Sequence, residues 1–340
     1  MRFAAAWLFA LVACSLASAG SWPVRTLALV DARSGKVDTS FPDLTVSGVV
    51  GDGRGGWFAS GARGVVRLTS RARVDHSWHA PLISRPGALT RFGSRLYVGF
   101  RPAAGMIAVA ALDARTGRRV WTSGRFGGRN LFALAADRRG VFAAGDFKKP
   151  RSPAWLLHFD ARTGARLRFD VAALRRSSTI ETLALGGGRL YAGGVLAAPH
   201  PLVVALDEQT GHLLPWQPHG FEADETSSIA VTGKQVILGG VFSFGAFDAR
   251  TGRKLAWSRQ VGGAATVVVA DGPRLYLAGN LRSGFTAVGG RRANNLAAYD
   301  LRARHWTPWT PVLAKFTSVA ALAPSGGKLL IIGAFSASIG

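Results

Sequence analysis

The sequence predicts an all-β fold, a seven-bladed β-propeller, from three regularities that each occur seven times in the same order: an aspartate-turn phrase, a large aromatic residue and a strand ending in glycine. The turn phrase is nearly identical at Leu112-Asp113-Ala114-Arg115-Thr116-Gly117, Phe159-Asp160-Ala161-Arg162-Thr163-Gly164 and Phe247-Asp248-Ala249-Arg250-Thr251-Gly252. Looser copies stand at Val30-Asp31, Leu206-Asp207 and Tyr299-Asp300, and a seventh has Thr69 in place of the aspartate. The apolar residues before it, Val109-Ala110-Ala111-Leu112 for example, read as a half-buried strand. The carboxylate then closes a turn by accepting hydrogen bonds from amides about two residues on, and the glycine supplies the positive φ that ends it.

Eight to ten residues after each aspartate or its substitute comes a ring: Phe41, Trp78, Trp121, Phe169, Trp216, Trp257 and Trp309. On a returning strand such rings fill the gap between neighbouring sheets. The glycine-ended strands stop at Gly61, Gly99, Gly145, Gly193, Gly239, Gly279 and Gly333, 38 to 54 residues apart. Two hairpins per unit make a four-stranded blade, and blades run to roughly 40–50 residues. A β-helix needs a shorter period and an α-solenoid needs helical periodicity. The chain opens on an aspartate hairpin (Thr26 to Phe41) and stops after a glycine hairpin (Val319 to Gly333). Joined in one blade, the two leave no open sheet edge. Residues 24–340 are therefore expected to form a single domain without a linker.

Composition bounds the rest. Of 340 residues 48% are hydrophobic and 18% charged, which excludes a disordered chain. One cysteine, Cys14, excludes disulfide scaffolds and zinc fingers. Arg2, the apolar run Phe3 to Leu11 and Ala17-Ser18-Ala19 read as a signal peptide over residues 1–19. Leu11-Val12-Ala13-Cys14 also fits a bacterial lipobox, so the chain is expected to be secreted or held at the cell surface by a lipid on Cys14. No later stretch has the length of a transmembrane helix.

The residues Ala111 to Gly117 with Trp121 resemble the tryptophan-docking repeat of pyrroloquinoline-quinone-type propellers. Asn295 to Asp300 with Trp306-Thr307-Pro308-Trp309, and Leu206-Asp207 with Pro215-Trp216-Gln217-Pro218, are similar to secreted bacterial delta-sixty repeat proteins. The resemblance covers essentially all of the mature chain and implies an exported propeller without one fixed activity. The quinone enzymes of the wider group imply eight blades, a calcium-bound cofactor, a catalytic aspartate and often an adjacent-cysteine disulfide. Here seven units and no cysteine after Cys14 depart from that. Asp31, Asp113, Asp160, Asp207, Asp248 and Asp300 recur at one turn position and read as structural, not as catalytic bases.

The formal charge is +23, from 42 basic and 19 acidic residues, and favours anionic partners. Loops joining the aromatic strand to the next blade, and the glycine-ended strand to the aspartate hairpin, share one face. They carry Arg125, Arg129, Lys148, Lys149, Arg151, Arg175, Arg176, Arg282, Arg291, Arg292 and Lys315. An anionic cell-envelope polymer (teichoic acid, acidic polysaccharide or lipid headgroups) or a surface protein is the expected partner. No helix or RNP-like motif points to specific nucleic acid. The acidic group Glu222, Asp224 and Glu225, near His219, is the one set with a calcium-like chemistry, although its spacing matches no metal loop. The seven histidines lack zinc-ligand spacing, no nucleophile elbow is present, and Gly51 to Gly56 reads as a hairpin turn. No cofactor or catalytic residue is assigned. A non-enzymatic binding propeller is the leading expectation, with a quinoprotein-like oxidoreductase or seven-bladed lyase working in the central channel as the alternative and a purely structural role as the third.

Overall fold

Every strand-and-turn phrase of the sequence becomes an antiparallel hairpin in the computed structural model, which describes residues 26–38, 46–147, 156–174, 179–196, 202–279, 284–293, 295–309, 311 and 318–334. Among these residues the protein is all-β apart from short 3-10 turns at Ala172–Leu174 and Ala256–Gln260. Many antiparallel sheets with short connections are the signature of a β-propeller architecture.

One register recurs. The strands Gln235–Gly240, Arg189–Val195 and Arg274–Ala278 are each central, paired on one side with the preceding strand and on the other with the strand that leads to the aspartate. The same triplet is built from Val46–Gly51, Trp57–Gly61 and Gly64–Leu68, and from Pro86–Phe92, Arg95–Ala103 and Met106–Asp113. Phe126–Ala136, Gly140–Phe147 and Leu156–Asp160 form another. The last of these triplets joins its predecessor into one seven-stranded sheet, because Phe126 and Gly127 pair with Ile107 and Met106.

The first and last described strands share a sheet. Thr26–Asp31 pairs antiparallel with Lys328–Ala334 from Thr26↔Gly333 to Asp31↔Lys328, giving the order Val37–Asp38, Thr26–Asp31, Lys328–Ala334, Ser318–Ser325. Alternation sorts its side chains to two faces. Leu27, Leu29, Leu330 and Ile332 pack toward Val49, Trp57 and Leu68. Ala28, Val30, Leu329 and Ile331 pack toward Val267, Leu275 and Tyr299. The first strands of successive triplets also lie side by side, and Ser318–Ser325 touches both Val267–Asp271 and Val46–Gly51.

Three expectations are corrected. The strand Val109 to Leu112 is buried on both faces, not half-buried, with Val109 and Ala111 in one apolar layer and Ala110 and Leu112 in the next. The reason is that neighbouring sheets cover both sides of this strand, so the run reads as continuously apolar. The fourth strand is vestigial in four units: Val37–Asp38, Arg119–Thr122 and His305–Trp306 pair as strands, whereas Leu68↔Val74, Phe159↔Arg166, Leu206↔Leu213 and Phe247↔Lys254 are single bridges. Consequently His76 and His79 sit in irregular chain, and Trp257 lies in the 3-10 turn Ala256–Gln260. Lastly, the expected loop of Arg291 and Arg292, between the glycine-ended strand at Gly279 and the Asp300 turn, carries the strands Phe285–Val288 and Arg291–Arg292, which form a separate small sheet with Val261–Gly263.

Candidate functional site

The aspartate turns are built alike. Asp160 Oδ1 accepts from the Arg162 and Thr163 amides at 3.1 and 2.7 Å and from Thr163 Oγ1 at 2.7 Å. Asp31, Asp113, Asp207 and Asp248 repeat the pattern, and Asp300 keeps its two amide bonds. The Thr163 hydroxyl and then its amide hold the Asp160 carboxyl below the usual carboxylate range.

These turns receive the rings of the preceding unit. The indole Nε1 of Trp78, Trp121, Trp216 and Trp309 donates to the carbonyls of Ala114, Ala161, Asp248 and Asp31, each at 3.1 Å. A Cβ at Gly164 would come within 2.5 Å of Trp121 Cε3, so that turn glycine serves close approach of the ring as well as its φ of 73°. Trp257 departs from the set and stacks flat on Tyr299 at 4.2 Å. A second clasp is absent from the sequence reading. Arg189 Nη1 donates to the Ala249 carbonyl at 2.6 Å, Lys328 Nζ to that of Ser70 at 2.9 Å, and Arg274 Nη1 to that of Ala32. Its signal was the basic residue opening four of the glycine-ended strands, of which Arg95 turns to Asp113 instead.

At the opposite strand ends lies the loop face. Arg129 of Phe126–Ala136 lines a recess of about 320 Å³ together with Arg85 and Arg101. Arg101 Nη1 donates to the Arg129 carbonyl at 3.4 Å, and its amide to the Ser84 carbonyl at 3.2 Å. Arg85 holds φ at +46°, turning the chain into Pro86–Phe92. All three arginines are exposed. Three guanidinium groups without a carboxylate in the lining attract planar oxyanions. Arg85 and Arg101 were not singled out in the sequence, because the face was read from loops and Arg101 belongs to a strand.

Of the other basic candidates, Arg125 is exposed beside this region, and Arg291 and Arg292 are exposed on the small sheet. Lys148, Lys149, Arg151, Arg175, Arg176, Arg282 and Lys315 lie outside the described residues.

The acidic candidates separate. Glu225 meets Glu181 of Thr179–Gly186, which occupies a bulge between Ile180 and Thr182. Burial, then the charge of Glu225 and a carboxyl–carboxyl hydrogen bond with it, push Glu181 up to about 8. A second such pair stands at the turn face, where burial and the Asp137 carboxyl push Glu208 up to about 7. Glu222 acts on Lys254 instead. Among the described residues no group of three or more His, Cys, Asp or Glu side chains is placed to hold a metal ion, so Glu222, Asp224 and Glu225 are not brought together as a ligand set.

This architecture, with repeated turns docked by indoles, defines a PQQ-repeat β-propeller. The family model PQQ_2, described as outer membrane protein assembly factor BamB, matches residues 105–302, and the chain belongs to that family. Among solved structures it is similar to one titled Mitotic Checkpoint Complex, with a TM-score of 0.52 at 16% identity over 91% of each chain. It is also similar to the computationally designed Ika8 protein, with a TM-score of 0.51 at 14% identity over 88% of this chain and 86% of that one. At such identities the likeness is one of fold. No curated protein matches the chain. Among the described residues no helix is long and apolar enough to cross a membrane.

Proposed function

We propose that the protein is a secreted or surface-held, seven-bladed propeller of delta-sixty repeat type, a single domain closed by its terminal hairpins, that binds an anionic cell-envelope polymer through its loop face without catalysing a reaction. Ring closure is supported by the shared terminal sheet and by Trp309, which docks on the first turn as the other tryptophans dock on theirs. The observation that carries the binding role is the convergence of Arg85, Arg101 and Arg129 on one recess. A recess of one sign concentrates counter-charge, and a chain of +23 adds long-range attraction to it. A surface protein with an acidic patch would meet the same groups. Retention on a polyanion matrix beyond about 150 mM salt, with affinity falling linearly on a log–log salt plot, is the expected result. Elution below that concentration contradicts it.

One observation favours a second reading, an enzyme with its site in the central channel. Glu181 carries a carboxyl poised near neutral pH, as a general acid or base requires. Family membership suits a quinoprotein-like oxidoreductase as well as a plain propeller. Added Ca²⁺ and quinone that produce neither thermal stabilisation nor dye reduction dispose of the oxidoreductase, and a Glu181→Gln variant with unchanged turnover of any found substrate disposes of proton transfer there.

A further inference from the structure

The seven-fold register supplies its own control for an arginine at the turn face. In six repeats the first-strand residue aligned with Arg91 is uncharged: Gly51, Ala136, Leu185, Val231, Ala270 and Pro324. Each of the seven pairs with a second-strand residue that in turn pairs with the residue just before the aspartate or its substitute. The fold therefore has no need of a charge there. Arg91 nevertheless puts a guanidinium at the seam between the sheets of Val46–Leu68 and Pro86–Thr122, with Nε buried and lacking any hydrogen-bond partner. Burial disfavours its charge, Asp52 favours it, and Arg54 disfavours it again. A buried donor left unsatisfied costs roughly 1–3 kcal/mol, more for a charged group.

Asp52 does not explain the arginine. Its Oδ1 accepts from the Arg54 and Gly56 amides at 2.7 and 2.8 Å, and its Oδ2 from Arg67 Nη2 at 2.8 Å and Nε at 3.2 Å. That carboxylate is already engaged by its own sheet and by Ser325 Oγ at 3.5 Å. Arg91 opens instead on a cavity of about 310 Å³ that Arg54, Arg67 and Arg115 also line, with Asp52 as the one carboxylate. Arg67 is ion-paired to Asp52 and, at 3.6 Å, to Asp75. Among the described residues no carboxylate is paired with Arg54, Arg91 or Arg115. Backbone takes part as well: a Cβ at Gly53 would come within 2.7 Å of Arg91 Nη1, so the chain passes closely over the guanidinium and holds it in place. The volume sits at the lower end of small-ligand sites, roughly 300–1,000 Å³.

We propose that this pocket binds a compact oxyanion of the phosphate class, gripped by Arg91 with Arg54 and Arg115 closing over it. Guanidinium forks suit phosphate oxygens, and an anion there neutralises the guanidinium charges of Arg91, Arg54 and Arg115 that line the cavity. The site lies at the turn end of the strands, remote from the loop-face recess, and stands independently of polymer binding.

The test is thermal unfolding in inorganic phosphate, in glycerol 3-phosphate and in chloride at matched ionic strength. A ligand that binds only the folded state raises Tm saturably. Phosphate should do so and chloride should not, and a larger response to glycerol 3-phosphate assigns the site to a phosphate monoester, an equal one to free phosphate. Arg91→Leu, a residue the aligned position already tolerates, should unfold at or above the parental temperature without phosphate and lose at least tenfold in phosphate affinity. Arg54→Gln and Arg115→Gln, both at exposed positions, should each lose several-fold and serve if Arg91→Leu does not fold. Parental phosphate affinity in these variants, or an equal rise with chloride, overturns the proposal.

Discussion

Trp309 Nε1 donates to the carbonyl of Asp31 at 3.1 Å, joining residues 278 positions apart in the chain. The bond duplicates the one from Trp216 to the Asp248 carbonyl, only 32 positions away, so the Asp31 turn is docked like an internal one. Trp309 is 3% exposed. Trp309→Ala should cost about 3–5 kcal/mol in urea unfolding, as Trp121→Ala should, and Trp309→Phe about 1 kcal/mol for the lost hydrogen bond. A Trp309→Ala variant as stable as the parent would mean that the ends are not docked.

The aspartate turns predict an acid sensitivity. Asp160 has its carboxyl held low by Thr163, so its contribution is complete above the ordinary carboxylate pKa and is lost as pH falls through the lowered value. Asp160→Ala should cost about 1 kcal/mol at neutral pH, while Asp160→Asn, which keeps an acceptor oxygen, should cost less. Chemical unfolding at pH 7 and pH 3 checks both.

His158 gives a second pH window. It is 7% exposed, stacked on Phe142 at 4.1 Å, and neither ring nitrogen has a partner. Burial depresses it to about 4 from 6.5. Between those values the unfolded chain takes up a proton that the folded one excludes, so stability falls as pH drops from 6.5 to 4. His158→Phe should flatten this part of the Tm–pH curve, and a variant that falls as steeply as the parent would contradict the assignment.

Glu181 acts in the opposite direction. Its carboxyl is protonated in the folded protein up to about 8, whereas the unfolded one ionises near 4.5. Stability therefore declines as pH rises through that window, and Glu181→Gln should remove on the order of a few °C of the decline. An identical slope in the variant would show that the folded protein does not hold Glu181 protonated.

Turns, hairpins and ring positions were legible in the sequence because each is a local device copied many times: Asp113 and Gly117 carry their own geometry. What the rings touch was only half legible. Their offset announced a gap filler, but the partner carbonyl belongs to the next unit, and the covering of both faces of Val109 to Leu112 comes from neighbouring sheets that no single repeat encodes. Trp257 misled because the unit after it lacks the turn glycine. Arg304 takes the positive φ there, and the ring stacks on Tyr299 instead. The recess of Arg85, Arg101 and Arg129 and the pair Glu181 with Glu225 were illegible for a related reason: each joins residues from different repeats, and no spacing within one repeat encodes them.

The binding role is tested most directly by comparing two charge-matched triple variants on a polyanion matrix. One replaces Arg85, Arg101 and Arg129 with glutamine; the other replaces Arg33, Arg162 and Arg250, exposed arginines of the turn face. Both lose the same charge, so generic attraction falls equally. The account predicts that the loop-face variant loses its retention above about 150 mM salt while the turn-face variant stays close to the parent. Equal loss in the two would show that the protein is merely basic, without a binding face.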